Sequence, residues 1–164
     1  MNPPLRTKED VEALKQGLHD NIMDVIATDH APHTLEEKER PYASAPSGGP
    51  LVQHSLPMML ELSAQGVSPV ETVVEKMCHA PARLFGVRDR GFLRTGHFAD
   101  IVLVRPADPW TVSKENILYK CGWSPLEGTA FSHRVVRTLV NGRTVYADGR
   151  VDTAHRGAEL EFDR

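Results

Sequence analysis

The chain has 164 residues, which is enough for one domain or for parts of two. With 40% hydrophobic and 25% charged residues and a net charge of −3, it carries no electrostatic footprint for nucleic acid or an anionic membrane. No apolar run approaches the about 20 residues that span a bilayer. We therefore expect a cytoplasmic protein without a signal peptide that binds neither nucleic acid nor membrane, with Cys78 and Cys121 as reduced thiols.

The first half of the chain alternates helical and strand-like patterns. Thr7 is a predicted N-cap, and Ser68-Pro69 has the serine and proline that begin a helix. The predicted elements are a helix over about 8–19, a buried strand over 23–28, a long loop over 34–50, a helix over about 51–65, a helix over about 69–79 and a helical turn over 82–85. Helix, buried strand and loop in this order predict an α/β unit.

The pattern changes to short strands after Gly91. Strands are predicted over 92–93, 99–104, 134–141 and 144–146. Asn141-Gly142 between the last two is a strong signal for a two-residue hairpin. We therefore predict a boundary near 87–91 that separates a first unit (1–90) from a β-rich unit (91–154), followed by a tail (155–164) that frays.

The segment Asp29-His30-Ala31-Pro32-His33 places one acid and two imidazoles directly after an apolar run. A carboxylate at the end of a buried strand can bind a metal ion and accept a proton. The same carboxylate can equally be a loop residue or a helix cap. The spacing matches neither a helical His-x-x-x-His pair nor a closed structural zinc site, so the residues alone leave both interpretations open.

This segment, together with Asn2-Pro3-Pro4-Leu5-Arg6, resembles the bacterial dihydroorotases, zinc enzymes of the amidohydrolase superfamily. Hydantoinases and allantoinases differ at both places, which makes this pair of motifs the more specific evidence. Other segments resemble motifs that cyclic amidohydrolases share in general, and they occur in the same order as in those proteins. These segments are 80–86, 96–104, 123–128 and 140–142.

The resemblance implies an α/β fold: the carboxyl-terminal part of a (β/α)8 barrel, followed by strands of the flanking composite β-domain. Asp29 would end the eighth strand, bind one zinc ion and carry a proton from the bridging hydroxide to the leaving nitrogen. His33 would bind the substrate's carboxylate, and Asn2 would hydrogen-bond the pyrimidine ring. Ser47 and Gly48 would offer backbone contacts to that ring.

The other metal ligands that the family requires are missing from the sequence. A complete site holds two zinc ions and needs a His-x-His pair, a bridging carboxylate and two further histidines, yet the sequence contains no His-x-His. The resemblance thus implies a chain that starts just after strand seven. One carboxylate cannot hold a catalytic zinc ion, so we expect weak zinc binding, no hydrolase activity, and association into a homo-oligomer through the unpaired strand.

The function that the resemblance implies is the reversible conversion of N-carbamoyl-L-aspartate to dihydroorotate in pyrimidine biosynthesis. Two alternatives remain: an allantoinase- or hydantoinase-type cyclic amidase, and a non-catalytic dihydroorotase-like subunit that associates with aspartate transcarbamoylase. Retention of Asp29 and His33 argues against the second. We expect His30 to orient the loop and both tryptophans to be packing anchors. The remaining candidate histidines, expected at the surface or at caps, are His54, His79, His97, His133 and His155.

Overall fold

A computed structural model describes residues 3–163. Its helices are α1 (Lys8–His19), α2 (Leu35–Lys38), α3 (Ser55–Ala64), α4 (Val70–Val74) and α5 (Ala80–Leu84), with a π-helical turn over Glu75–His79 and a 3-10 turn over Lys114–Asn116. Its strands are β1 (Ile101–Thr111), β2 (Ala130–Val140), β3 (Arg143–Ala147) and β4 (Arg150–Val151). None of the helices within this range is long and apolar enough to cross a membrane.

Helix α1 has the predicted bounds because local capping defines its start. The Thr7 hydroxyl accepts a hydrogen bond from the Asp10 amide at 3.1 Å, and the Asp10 carboxylate accepts one from the Thr7 amide at 3.1 Å. These contacts, the Thr7 backbone foremost, lower the pKa of Asp10. The helix buries Leu18 against Met59 of α3 and Val73 of α4, which together form the core of the helical part.

The predicted strand over 23–28 is wrong, because a strand requires a backbone partner along its length. Within residues 3–163 this apolar segment joins no sheet, although Ile26 packs on the helical core and its amide donates to the Lys76 carbonyl at 3.0 Å. Its end is paired by a single parallel bridge between His30 and Gly49. The predicted strand at 92–93 is also wrong, since Phe92 lies in a bend and Leu93 belongs to no regular element.

The helical segment after Pro69 is longer than predicted. It continues through the π-helical turn into α5 instead of ending near His79. The Ala80 amide donates to the Glu75 carbonyl, so the hydrogen bonds are already displaced from the regular helical pattern when the chain reaches Pro81. The proline, which lacks an N–H group, is therefore accommodated within the first turn of α5.

The β-rich part is one antiparallel sheet in the order β1-β2-β3-β4. The predicted hairpin is confirmed: Asn141 and Gly142 have φ angles of 52° and 76°, as a type I′ turn requires. β1 and β2 are longer than predicted. A register shift between Pro106 and Trp110 lets the pair of strands continue past Pro106 and Pro109. The predicted strand ends before both prolines, at residue 104.

Side-chain contacts join the helical part to the sheet and to the end of the chain. The Glu61 carboxylate on α3 accepts hydrogen bonds from the Ser132 hydroxyl at 2.7 Å and the Ser132 amide at 2.9 Å. These bonds, the hydroxyl's first, lower the pKa of Glu61. The tail expected to fray is held at its end, because Arg88 pairs with Glu161 and Asp163.

Candidate active site

Asp29 lies exposed at the end of the apolar 23–28 segment. Its φ angle is 44°, a left-handed conformation that aspartate tolerates better than most residues. The chain then turns sharply at Pro32, where the His33 amide donates to the Ala31 carbonyl at 2.9 Å. The segment is thus a fixed turn that presents the Asp29 carboxylate to solvent.

His30 anchors this turn to the far end of the 34–50 loop, in keeping with its expected orienting role. Its Nδ1 accepts a hydrogen bond from the Leu51 amide at 3.1 Å, which places the hydrogen of the neutral ring on Nε2. The Ala31 amide donates to the Gly49 carbonyl at 3.1 Å. The His30 ring also lies 5.4 Å from the ring of Tyr119, measured between centroids.

Gly48 is buried directly beneath the turn. Its φ angle is 94°, and a Cβ atom there would lie 2.5 Å from the Cβ of Ala31, which is closer than two non-bonded carbon atoms can approach. Lys38 fixes this arm of the loop, since its Nζ donates to the carbonyls of Pro46 at 2.6 Å and Gly48 at 3.0 Å. The Lys38 side chain is therefore held against the backbone of the loop. Ser47 is exposed beside Gly48.

His33 is half-exposed, and its Nδ1 lies 3.6 Å from Oε2 of Glu37. Glu37 belongs to a capping box at the start of α2, and hydrogen bonding to the Thr34 amide is the main reason why its pKa is lowered. Asn2, the remaining predicted site residue, lies outside the described residues.

The described residues do not complete a metal site. A catalytic zinc ion takes three protein ligands and a water molecule. Within residues 3–163 no group of three or more His, Cys, Asp or Glu side chains could hold a metal ion. Of the three candidates in the turn, His30 uses Nδ1 for the Leu51 amide and His33 faces Glu37. Asp29 can therefore serve as one ligand of a metal centre, while these residues by themselves do not fit the ion.

The prediction that His54 lies at the surface is wrong, although the residue does occupy the N-cap position of α3. Its side chain is 0% exposed, in contact distance of the aromatic rings of Trp110, Tyr119 and Phe131, and it makes no cap hydrogen bond to α3. Burial lowers the pKa of His54. The sequence around it gives no sign of this burial, because the covering side chains come from residues more than fifty positions away.

The sequence profile of the amidohydrolase family matches residues 2–145. The chain belongs to the amidohydrolase family. This amidohydrolase chain is 42% identical to the dihydroorotase of Geotalea daltonii over 146 residues, which cover 89% of the chain and 34% of that protein. It is 40% identical to the dihydroorotase of Halobacterium salinarum over 160 residues, which cover 98% of the chain and 37% of that protein.

Among solved structures, the L-hydantoinase from Arthrobacter aurescens superposes on this amidohydrolase chain with a TM-score of 0.84 and 30% sequence identity. The superposition covers 92% of the chain and 35% of the hydantoinase. The chain thus spans about a third of the length of the relatives it matches. The resemblance to dihydroorotases and the α/β fold class, a partial barrel followed by strands, are confirmed.

Proposed function

We propose that this chain supplies the eighth-strand part of a dihydroorotase active site. The complete site would catalyse the reversible cyclisation of N-carbamoyl-L-aspartate to dihydroorotate in pyrimidine biosynthesis. The observation that carries the proposal is the exposed Asp29 carboxylate, held in a left-handed turn between His33 and the buried Gly48. Dihydroorotases that are 40% and 42% identical to the chain over the aligned residues support it.

Asp29 would be a metal ligand and the group that carries the proton. Two zinc ions, held mainly by ligands that these residues do not provide, would polarise the scissile carbonyl and supply hydroxide at neutral pH. The Asp29 carboxylate would take the proton released during attack and return it to the leaving nitrogen. Since one carboxylate cannot retain zinc alone, the isolated chain would bind the metal weakly and turn over no substrate.

His33 would bind the exocyclic carboxylate of dihydroorotate. Its side chain is partly exposed, and its Nδ1 lies 3.6 Å from the Glu37 carboxylate. Asn2 would bind the ring of the substrate together with the backbone at Ser47 and Gly48. The Gly48 carbonyl already accepts from Lys38, which leaves the exposed backbone of Ser47 as the more accessible contact.

Replacement of His33 tests the identity of the substrate. The assay uses a chimera in which this chain replaces the matching third of the Geotalea daltonii dihydroorotase. We expect His33→Ala to raise KM for dihydroorotate by about 10- to 100-fold, because a charge-assisted hydrogen bond to the carboxylate is lost. Hydantoin and allantoin serve as competing substrates, and His155→Ala, an exposed tail residue, serves as the control.

The other outcomes of these assays distinguish the alternative functions. Turnover of hydantoin or allantoin without dihydroorotate would favour the cyclic amidase hypothesis, to which the L-hydantoinase superposition lends support. A chimera that is folded but inactive, and a chain that co-purifies with aspartate transcarbamoylase without zinc, would favour the non-catalytic subunit. An unchanged KM in His33→Ala would remove this residue from the carboxylate site.

A further inference from the structure

We propose that residues 112–128, here named the clasp loop, position the Asp29–His33 turn, with Trp123 as the positioning residue. The effect on catalysis rests on the proposed function, whereas the effect on the turn itself does not. The loop leaves the sheet at the end of β1 and returns at the start of β2. It therefore connects the β-rich part directly to the candidate active site.

The base of the clasp loop is closed by backbone hydrogen bonds. The Val112 amide donates to the Thr129 carbonyl and the Gly128 amide donates to the Val112 carbonyl, both at 2.9 Å. Val112 is 1% exposed. A loop with joined ends and a buried base behaves as a compact unit rather than as a free strand of chain.

Trp123 contacts both backbone segments that shape the turn. Its Nε1 donates to the His33 carbonyl at 2.8 Å. The edge of its ring approaches Gly49, since a Cβ atom placed there would be 3.9 Å from Cη2 of Trp123 and 3.7 Å from Cγ of Pro125. Gly49 is the residue that pairs with His30. The indole ring of Trp123 thus contacts both the backbone of His33 and Gly49, the residue that pairs with His30 at the start of the turn.

The clasp loop packs against the buried His54. The hydroxyl of Tyr119 accepts from the Gln53 amide at 2.8 Å and lies 3.3 Å from Nδ1 of His54. The hydroxyl of Ser124, adjacent to Trp123, lies 3.4 Å from the same nitrogen. Because these groups are held in a closely packed aromatic environment, the indole is fixed relative to α3. The His33 carbonyl therefore has a partner whose position does not depend on the turn.

This arrangement has a functional consequence for a carboxylate-binding residue. Displacement of a binding group by about 1 Å can reduce catalysis by about 100-fold. The Trp123 hydrogen bond sets the backbone of His33, and the backbone sets the reach of the imidazole. The sheet part of the chain would thus determine how well the site binds the anionic end of its substrate.

The matched pair Trp123→Phe and Trp110→Phe tests this inference. Trp110 donates the same kind of hydrogen bond, from Nε1 to the His133 carbonyl at 2.9 Å, but does so within the sheet. We expect amide hydrogen exchange in the 164-residue chain to accelerate at residues 30–38 by about tenfold or more in Trp123→Phe and to stay unchanged there in Trp110→Phe. In the chimera, Trp123→Phe is expected to raise KM for dihydroorotate about tenfold with kcat nearly unchanged.

The two readouts separate failure of this inference from failure of the proposed function. Equal exchange at residues 30–38 in both variants would overturn the positioning role, whatever the kinetics. Faster exchange in Trp123→Phe alone supports the positioning role even if dihydroorotate is not the substrate. Equal thermal midpoints of the two variants show that the difference does not come from global loss of stability.

Discussion

Dihydroorotate turnover by the chimera is expected to fall by about 1,000-fold or more when Asp29 is replaced by Asn, because the variant can neither carry the proton nor give the metal a charged ligand. Asparagine has nearly the same size and also tolerates the left-handed conformation at φ 44°, so the turn is expected to keep its shape. The loss should therefore lie in kcat with an unchanged thermal midpoint. Steady-state kinetics and a thermal melt measure both quantities.

Asp24→Asn provides the control for this substitution. Asp24 is exposed in the same extended segment, five positions before Asp29, and the same charge is removed. We expect its kcat and KM to match those of the unmodified chimera. Comparable activity of Asp29→Asn and Asp24→Asn would show that the Asp29 carboxylate takes no part in the reaction.

Gly48→Ala is expected to disrupt the Asp29–His33 turn, because Gly48 packs against Ala31 of that turn. The added Cβ would lie 2.5 Å from the Cβ of Ala31, and the φ angle of 94° is already unfavourable for alanine. The neighbouring turn must move, so we expect a loss of about 1–3 kcal/mol in the free energy of unfolding and about 100-fold in kcat/KM. Chemical denaturation and steady-state kinetics of the chimera measure the two effects.

Gly66→Ala separates the steric clash from the backbone strain. Gly66 has a similar φ angle of 80°, but a Cβ atom there would meet nothing within 4 Å. We expect Gly66→Ala to lower stability by the strain alone and to leave kcat/KM unchanged. If the two variants lost stability and activity equally, the close contact between Gly48 and Ala31 would not be what holds the turn.

Local signals in the sequence predicted the elements that are stabilised locally. The capping box at Thr7 fixes the start of α1, and Asn141-Gly142 fixes the hairpin, because each depends on residues within a few positions. The short helix α2 had the same kind of signal, since Thr34 and Glu37 form a capping box. The charges and glycines of the surrounding segment favour a loop instead, and this outweighs a signal that covers only four residues.

Elements that depend on distant partners could not be predicted in this way. The 23–28 segment has the composition of a buried strand, but whether it joins a sheet depends on neighbouring strands. The burial of His54 and the hydrogen bond from Trp123 to His33 both depend on residues from the other half of the chain. The 123–128 motif is part of the resemblance to cyclic amidohydrolases, but its residues alone do not indicate which carbonyl Trp123 contacts.

The candidate site divides in the same manner. Asp29 and His33 lie on one turn, as their spacing in the motif indicates, and Gly48 packs against this turn. The supporting contacts from Lys38 and Trp123 to this turn were not foreseen. On average, the charge of a lysine favours a position in solvent and the aromatic ring of a tryptophan favours packing in a core. Here, hydrogen bonds to backbone carbonyls determine where the side chains of Lys38 and Trp123 lie.

The central claim is that this chain provides one carboxylate to a metal centre that further residues complete. Zinc content by mass spectrometry, measured together with dihydroorotate turnover, tests it most directly. For the isolated chain we predict less than about 0.1 zinc per chain and no turnover, and for the chimera about two zinc ions and turnover. Stoichiometric zinc with turnover in the isolated chain, or a folded chimera that binds zinc but leaves dihydroorotate unchanged, would contradict the account.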